Sequence, residues 1–189
     1  MQGFEISILN AIQNLRSEPL DKLMVTITAL GNLSILWISI IVVILTMMKN
    51  KRVGEVMVIG FILNLLIVNL ILKIAVGRTR PYEVAKFEDL LIHGLSDNSF
   101  PSGHTSYAFT FFAIFLLLSK SRFLKIYMGI LAFLMGFSRL YLYVHYPSDV
   151  IAGAIIGVFL AIGAVKIYQS QKYKDFKSKY FLQKDKRVV

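Results

Sequence analysis

Long apolar runs without charge are the feature that most constrains the fold of this chain. Four runs contain no charged side chain: residues 23–48, 56–72, 105–119 and 150–165. A fifth run, residues 123–144, has one basic residue near each end. A helix needs about 20 apolar residues to cross the hydrocarbon core of a bilayer. The composition, 56% hydrophobic and only 17% charged, is too apolar for an ordinary soluble domain. The sequence therefore predicts an all-α, polytopic membrane bundle of about five transmembrane helices.

The two ends of the chain differ from these runs. Residues 1–22 lack the basic start and continuous apolar core of a cleavable signal peptide. Their apolar side chains recur at helical spacing, which is typical of an amphipathic helix lying in the membrane interface. An ordinary first helix packed on the bundle fits the pattern equally well. We therefore predict one integral membrane domain, with an N-terminal helix over residues 1–22, the bundle over 23–168 and a basic tail over 169–189.

The basic residues are distributed unevenly along the chain. The net charge is +10, and clusters after the first, third and fifth runs hold fourteen of the 21 lysines and arginines. Alternation of five spans places these clusters on one side, which the positive-inside rule makes cytoplasmic. The basic tail is expected to rest against anionic lipid, with a solvated tail as the alternative; nucleic-acid binding is not expected. The absence of cysteine excludes disulfides and thiol chemistry.

Alternation of the spans brings ionisable residues from three distant segments to the opposite, external face. Such residues are costly at membrane depth and usually functional. Three cations, Lys73, Arg80 and Arg139, match the oxygens of a phosphate. Ser102 and Gly103 stand where the third span begins, so free backbone N–H groups and the positive helix end would attract an anion. These residue types indicate a phosphate-binding site.

Two histidines complete a chemistry for phosphate. His145 has Asp149 four residues on, and a nearby carboxylate holds an imidazole in the right tautomer for a nucleophile or base. His104 is then the general acid for a departing oxygen. No metal site is predicted, because the three histidines and the carboxylates show no ligand spacing. No cofactor is predicted either.

Each of these residues has a structural explanation when taken alone. A lysine near a helix end commonly extends to the membrane interface, and an arginine there commonly anchors the span. Ser-Gly before a helix is commonly a cap, and a histidine beside tyrosines fits an aromatic belt. All of these explanations would have to hold together on one membrane face, which favours the functional interpretation.

Three motifs follow one another in the chain: K-x6-RP at residues 73–81, PSGH at 101–104 and SR-x5-H-x3-D at 138–149. Together they resemble the type-2 phosphatidic acid phosphatase superfamily. The resemblance implies a helical bundle and metal-independent hydrolysis of phosphate esters or pyrophosphates through a phosphohistidine. In that scheme His145 attacks phosphorus and is oriented by Asp149, while His104 protonates the leaving group. The phosphate ligands would be Lys73, Arg80, Ser102, Gly103 and Arg139.

The predicted function is a lipid phosphatase of the cell membrane, with its site on the external face and the lipid tails in the bilayer. Undecaprenyl pyrophosphate is the first choice of substrate, and phosphatidylglycerol phosphate or phosphatidic acid is the alternative. A phosphotransferase with a lipid hydroxyl as acceptor is a related possibility. A transporter or lipid-binding protein would have no need for a nucleophile and an acid. Vanadate haloperoxidases share the motifs but are soluble.

Other residues receive secondary expectations. Arg78 lies outside the required pattern and is expected to assist the phosphate or meet lipid head groups. The long loop, residues 82–100, is a candidate lid. Close helix packing or a dimer contact is expected at Gly153 and Gly157. Interhelical hydrogen bonds are expected from two asparagines of the second run, Asn64 and Asn69.

Overall fold

The computed structural model describes residues 2–31, 35–47, 51–92 and 95–182, and regular structure in these ranges is entirely helical. The prediction of an all-helical membrane bundle is confirmed. Two π-helical segments, Asn64–Leu72 and Ser178–Leu182, continue helices of the bundle and of the tail. The α-helices are α1 (Gln2–Gln13), α2 (Glu18–Gly31), α3 (Ile35–Met47), α4 (Arg52–Leu63), α5 (Lys73–Val76), α6 (Pro81–Ala85), α7 (Gly103–Leu118), α8 (Arg122–Tyr141), α9 (Pro147–Gln169) and α10 (Gln171–Lys177).

Full-length spans account for three of the five predicted runs. The stretches Arg52–Ala85, Arg122–Tyr141 and Pro147–Gln169 are long and apolar enough to cross a membrane. The first predicted run is divided between α2 and α3, whose axes differ by 60°, so it is at most one broken span. Gly31 ends α2, and glycine has a low helix propensity. The continuous first span of the sequence prediction is therefore corrected to two helices.

The third predicted run, α7, is the central helix of the bundle. Its 16 residues rise about 24 Å, which is less than the hydrocarbon thickness of about 30 Å. It packs against α4, α8 and α9. Trp37 of α3 meets Phe111 edge-on, with 5.1 Å between ring centroids. The N-terminus of α7 is buried, so the residues that begin it lie inside the protein.

Small and polar residues join the spans. A Cβ at Gly153 would lie 2.6 Å from the carbonyl oxygen of Ser102, and one at Gly157 would lie 2.5 Å from that of Ser106. The backbones of α7 and α9 therefore approach closely, as predicted for these glycines. Asn64 donates to Thr110 Oγ1 at 2.8 Å and accepts from Ser106 at 2.6 Å, which confirms its expected interhelical bonds.

The N-terminal helix packs on the bundle where α8 and α9 are joined. Leu9 of α1 is fully buried against Tyr143 and Tyr146. Gln13 donates to the carbonyl oxygen of Tyr141 at 3.0 Å. Phe4, on the same helix, leaves 72% of its surface exposed. The segment predicted as one helix, residues 1–22, holds α1 and the beginning of α2.

Four long helical stretches follow α3 and run alternately between two ends of the bundle: the stretch from α4 to α5, then α7, α8 and α9. Lys73, Arg139 and the starts of α7 and α9 lie at one end, and the start of α4 with the end of α9 lies at the other. At the second end Lys177 of α10 pairs with Glu55 at 2.7 Å, and Arg52 lies over Tyr168. The predicted site residues thus occupy one end, and the described residues of the basic clusters lie toward the other.

Candidate active site

The PSGH segment forms a tight, buried start to α7. Ser102 is the N-cap residue, and its Oγ accepts from the Thr105 N–H at 3.4 Å and shares a hydrogen bond with Thr105 Oγ1 at 2.8 Å. The Ser102 N–H donates to the carbonyl oxygen of Asp149 at 3.1 Å, which joins the start of α7 to the start of α9. The positive end of α7 therefore lies among the predicted phosphate ligands.

His145 lies in the turn between α8 and α9, and Asp149 lies in the first turn of α9. The His145 Nδ1 is 3.5 Å from Asp149 Oδ2, and both side chains are almost fully buried. On the other side of the ring, Nε2 is 3.4 Å from Arg80 Nη1. A proton on Nδ1, facing the carboxylate, leaves the Nε2 lone pair directed at the cationic side of the site.

The His145 imidazole is also kept neutral by its surroundings. Burial lowers the pKa of His145, and the positive charges of Arg80, Arg139 and Lys73 lower it further, against a smaller opposing effect of Asp97. A neutral imidazole is the form that attacks phosphorus.

Asp149 is held by three donors besides its contact with His145. Ser99 Oγ and the Tyr146 N–H donate to Oδ2 at 2.5 and 2.9 Å. Arg78 Nη1 donates to Oδ1 at 2.5 Å. The Arg78 guanidinium also stacks on the Tyr146 ring, 3.8 Å from its centroid. Arg78, expected to assist the phosphate or meet lipid head groups, is thus engaged by Asp149 in this structure.

The N-terminal helix reaches this cluster through Glu5. Its Oε2 is 2.6 Å from Arg78 Nη2, and its Oε1 accepts from the Ser148 N–H at 2.9 Å. Burial raises the pKa of Glu5, but the hydrogen bonds from Ser148 and the charge of Arg78 outweigh it and lower the pKa overall. Glu5 is therefore a carboxylate that fastens α1 to the start of α9.

Helix α2 forms a wall of the site beside His104 and Arg139. His104, in the first turn of α7, makes a hydrogen bond with the backbone of Thr28. Arg139 donates to Thr28 Oγ1 and is 1% exposed. A Cβ at Gly31 would lie 2.5 Å from His104 Cδ2. The roles of Thr28 and Gly31 are not predictable from the sequence, since an apolar run carries no signal for such contacts.

Lys73 and Arg80 are joined by a carboxylate of the long loop, Asp97. Lys73 Nζ pairs with Asp97 Oδ2, and Arg80 Nη2 lies 2.5 Å from Oδ1. Burial raises the pKa of Asp97, but Lys73 and Arg80 lower it more, so its pKa falls well below the usual value. Asp97 is thus ionised, and its single negative charge is shared between two of the three cations. From the sequence, Asp97 is expected only to be part of a possible lid.

A cavity of about 230 Å³ opens at this place. Asn69 faces it, with Oδ1 3.1 Å from where a Cβ at Gly103 would lie, so Gly103 leaves room for this amide. Among the described residues, no group of three or more histidines and carboxylates is arranged to hold a metal ion. The cavity is lined by Gly31, Asn69, Lys73, Asp97, Gly103, His104 and Tyr107.

All eight predicted site residues thus lie at one end of the bundle. His145 contacts Asp149 and Arg80, and Lys73, Gly103 and His104 line the cavity. The charges of Lys73 and Arg139 act on both histidines. The Ser102 hydroxyl is bonded to Thr105, so Ser102 would favour an anion through its position at the positive end of α7 rather than through its side chain.

Comparison with known proteins relates this arrangement to one family. The sequence profile described as PAP2 superfamily matches residues 54–173, which is more than half of the chain. An undecaprenyl-diphosphatase of Sulfolobus acidocaldarius is 30% identical over 87% of this chain and 79% of its own length. A phosphatidylglycerophosphatase B of Bacillus subtilis is 33% identical over 95% of this chain and 89% of its own length.

Two solved structures share the fold. The crystal structure of Aquifex aeolicus LpxE superimposes with a TM-score of 0.75 at 29% identity, covering 85% of this chain and 93% of that one. The transmembrane PAP2-type phosphatidylglycerolphosphate phosphatase from Bacillus subtilis superimposes with a TM-score of 0.73 at 30% identity, covering 95% and 88%.

Proposed function

The chain belongs to the PAP2 superfamily and is a membrane enzyme that hydrolyses lipid phosphates, and on this premise we propose that it converts undecaprenyl pyrophosphate to undecaprenyl phosphate through a phosphohistidine. The observation that carries the mechanism is the setting of His145. One ring nitrogen faces Asp149 at 3.5 Å, and the other faces the cation Arg80 at 3.4 Å. An imidazole held in this way presents its lone pair to a phosphorus whose oxygens are bound by the cations.

The proposed reaction has two steps. His145 Nε2 attacks phosphorus, an N–P bond forms, and the bond from phosphorus to the leaving oxygen breaks. The leaving oxygen takes the bonding electron pair, and His104 gives it a proton. Water then attacks phosphorus and loses a proton to His104, the N–P bond breaks, and phosphate leaves with His145 restored. Asp149 retains its charge and stabilises the imidazolium that forms during attack.

The phosphoryl oxygens are bound by Lys73, Arg80 and Arg139 and by the N-terminus of α7 at Ser102 and Gly103. Burial of the two arginines, each 2% exposed or less, makes their charges effective because little water screens them. Prearranged charges of this kind account for most of the rate in phosphoryl transfer, where positioning matters more than covalent chemistry.

The size of the cavity and the similarity to two relatives support the choice of substrate. The cavity of about 230 Å³ accommodates a phosphate head group, and a polyprenyl or acyl tail would remain in the bilayer. The likeness to a protein named undecaprenyl-diphosphatase covers most of the chain and favours a lipid pyrophosphate. The likeness to phosphatidylglycerophosphatase B covers slightly more of it and supports phosphatidylglycerol phosphate as the second candidate. Phosphatidic acid and transfer to a lipid hydroxyl are the remaining alternatives.

We place the site on the external face of the cell membrane. The site lies at the end of the bundle opposite Arg52, Lys177 and the other described residues of the basic clusters. The positive-inside rule assigns the basic end to the cytoplasm. The tail beyond α9 is then cytoplasmic and lies near anionic lipid.

The test is phosphate release by the purified chain with EDTA present. Undecaprenyl pyrophosphate, phosphatidylglycerol phosphate and phosphatidic acid are compared in parallel, with His145→Ala and with Lys172→Ala, an exposed change at the opposite end, as the matched control. The proposal expects release that survives chelation, is fastest from undecaprenyl pyrophosphate, persists in Lys172→Ala and is lost in His145→Ala. If another lipid is hydrolysed faster, that lipid would be the preferred substrate instead. Consumption of lipid without inorganic phosphate would indicate a phosphotransferase.

A further inference from the structure

Asp97 binds the two cations in the manner expected of a phosphate. One carboxylate oxygen is at Lys73 and the other is 2.5 Å from Arg80 Nη2, so each oxygen serves one cation. Two oxygens of a tetrahedral phosphate would use the same donors. Lys73 and Arg80 are almost fully buried, and Lys73 lines the cavity together with Asp97.

The backbone next to Asp97 is anchored independently of its carboxylate. Arg80 Nε donates to the Asp97 carbonyl oxygen at 2.9 Å. Asn98 donates to the carbonyl oxygen of Lys73 at 3.0 Å, and the Ser99 N–H donates to that of Arg78 at 2.7 Å. The main chain at this point therefore stays in place whether or not the carboxylate is engaged.

The carboxylate itself faces water. The Asp97 side chain is 53% exposed, whereas the Lys73 and Arg80 side chains are 8% and 2% exposed. Exposed side chains change rotamer within picoseconds to nanoseconds, so the carboxylate can turn outward once its two ion pairs break. Asp97 can thus leave the cations by turning outward, with no movement of the loop.

Resting on the proposed function, we propose that Asp97 is an internal competitor of the substrate phosphate for Lys73 and Arg80. The carboxylate offsets part of the charge of these buried cations while the site is empty, and the phosphate displaces it on binding. A phosphate succeeds because it brings more negative charge than one carboxylate. The apparent affinity for phosphate is then the intrinsic affinity reduced by the fraction of molecules in which the cations are free. Asp97 thereby sets the affinity of the site and favours multiply charged head groups.

The test is the dissociation constant of inorganic phosphate, the reaction product, measured by calorimetry on the full chain in detergent micelles. Asp97→Asn keeps the shape of the side chain and removes its charge. Asp89→Asn is the matched control, since Asp89 belongs to the same loop but pairs with Arg16. We expect Asp97→Asn to bind phosphate about fivefold more tightly or better, and Asp89→Asn to stay within about twofold of the unmodified chain.

Weaker or unchanged phosphate binding in Asp97→Asn would overturn the inference, because it would mean that Asp97 only orients the cations. Asp97→Ser is a second variant that tests the same point if the asparagine form does not fold. Calorimetry needs no turnover, so the result is independent of the lipid substrate. If the unmodified chain binds phosphate and neither variant binds it more tightly, only the role of Asp97 as a competitor is overturned. Absence of phosphate binding in every form would overturn the phosphate site itself, and the proposed function with it.

Discussion

Arg78 Nη1 lies 2.5 Å from Oδ1 of Asp149, so the carboxylate that faces His145 is itself held by a partly buried ion pair. The same guanidinium reaches Glu5 at 2.6 Å, which extends the contact to the N-terminal helix. The catalytic histidine of the proposed mechanism is therefore positioned by residues from three separate segments. Neither Asp149 nor Glu5, the two carboxylates that Arg78 contacts, lines the cavity. Arg78 therefore affects the proposed reaction through Asp149.

Arg78→Lys keeps a positive charge and removes the planar fork that contacts Asp149 and Glu5 together. Misplacement of a catalytic group commonly costs on the order of 100-fold in rate, so we expect kcat to fall by about 10- to 100-fold. KM should change little, because Arg78 is not a phosphate ligand. Steady-state kinetics on the preferred lipid checks this, with Arg16→Lys as the control for an arginine bound to the loop. A raised KM with unchanged kcat would instead make Arg78 a substrate ligand.

Gly31→Ala tests the contact between α2 and the proposed general acid. The new Cβ would lie 2.5 Å from His104 Cδ2 and 3.0 Å from Nε2, so the imidazole must move. We expect turnover to fall by about tenfold or more while the helix content by circular dichroism stays the same. Gly3→Ala is the matched control, since nothing lies within 4 Å of its Cβ. Full activity in Gly31→Ala would show that His104 needs no fixed position.

Gly157→Ala tests the packing of α7 on α9. Its Cβ would meet the Ser106 carbonyl oxygen at 2.5 Å, and overpacking of this kind costs about 1–3 kcal/mol. Gly163→Ala in the same helix meets only Leu63, at 3.9 Å, and should be neutral or favourable by up to about 1 kcal/mol because alanine is the better helix former. Unfolding in mixed micelles measures both. Equal stability of the two variants would argue against close packing at Gly157.

His145 should remain neutral at pH values where an ordinary histidine is half protonated. Its pKa is lowered by burial and by three nearby cations, so protonation begins only as the pH falls below about 6.5, the ordinary value. Nitrogen NMR of histidine-labelled protein without substrate follows the titration, and the His145→Asn variant assigns the signal. A midpoint at or above the ordinary value would contradict the buried, cation-facing setting.

The site residues that the sequence predicts well are those whose chemistry and local spacing are both informative. His145 and Asp149 are four residues apart across a helix start, and Pro101 to His104 form a helix start of their own. Their partners are harder to predict, because the contacts join residues far apart in the chain. Ser99 and Asp149 are 50 positions apart, and Thr28 and Arg139 are 111 apart. Apolar periodicity contains no information about such pairs.

The fold, too, is only partly predictable from the sequence. Hydrophobicity predicts where helices cross the bilayer, and three spans agree with it. It does not predict the 60° angle between α2 and α3, nor that Thr28 and Gly31 of α2 lie beside His104 and Arg139. Nor does it predict that Asp97, an exposed loop residue by composition, turns toward Lys73 and Arg80. These features depend on packing between elements rather than on any local pattern.

Trapping the phosphoryl group on His145 is the most direct test of the proposed phosphohistidine mechanism. The His104→Asn variant is mixed with an aryl phosphate, whose leaving oxygen needs no proton, so the first step proceeds and the second is slowed. After a quench in alkali, peptide mass spectrometry locates the phosphoryl group. We expect phosphate on the peptide that contains His145, and none when His145→Ala is added to the variant. Phosphate on another residue, or undiminished lipid turnover by His145→Ala alone, would contradict it.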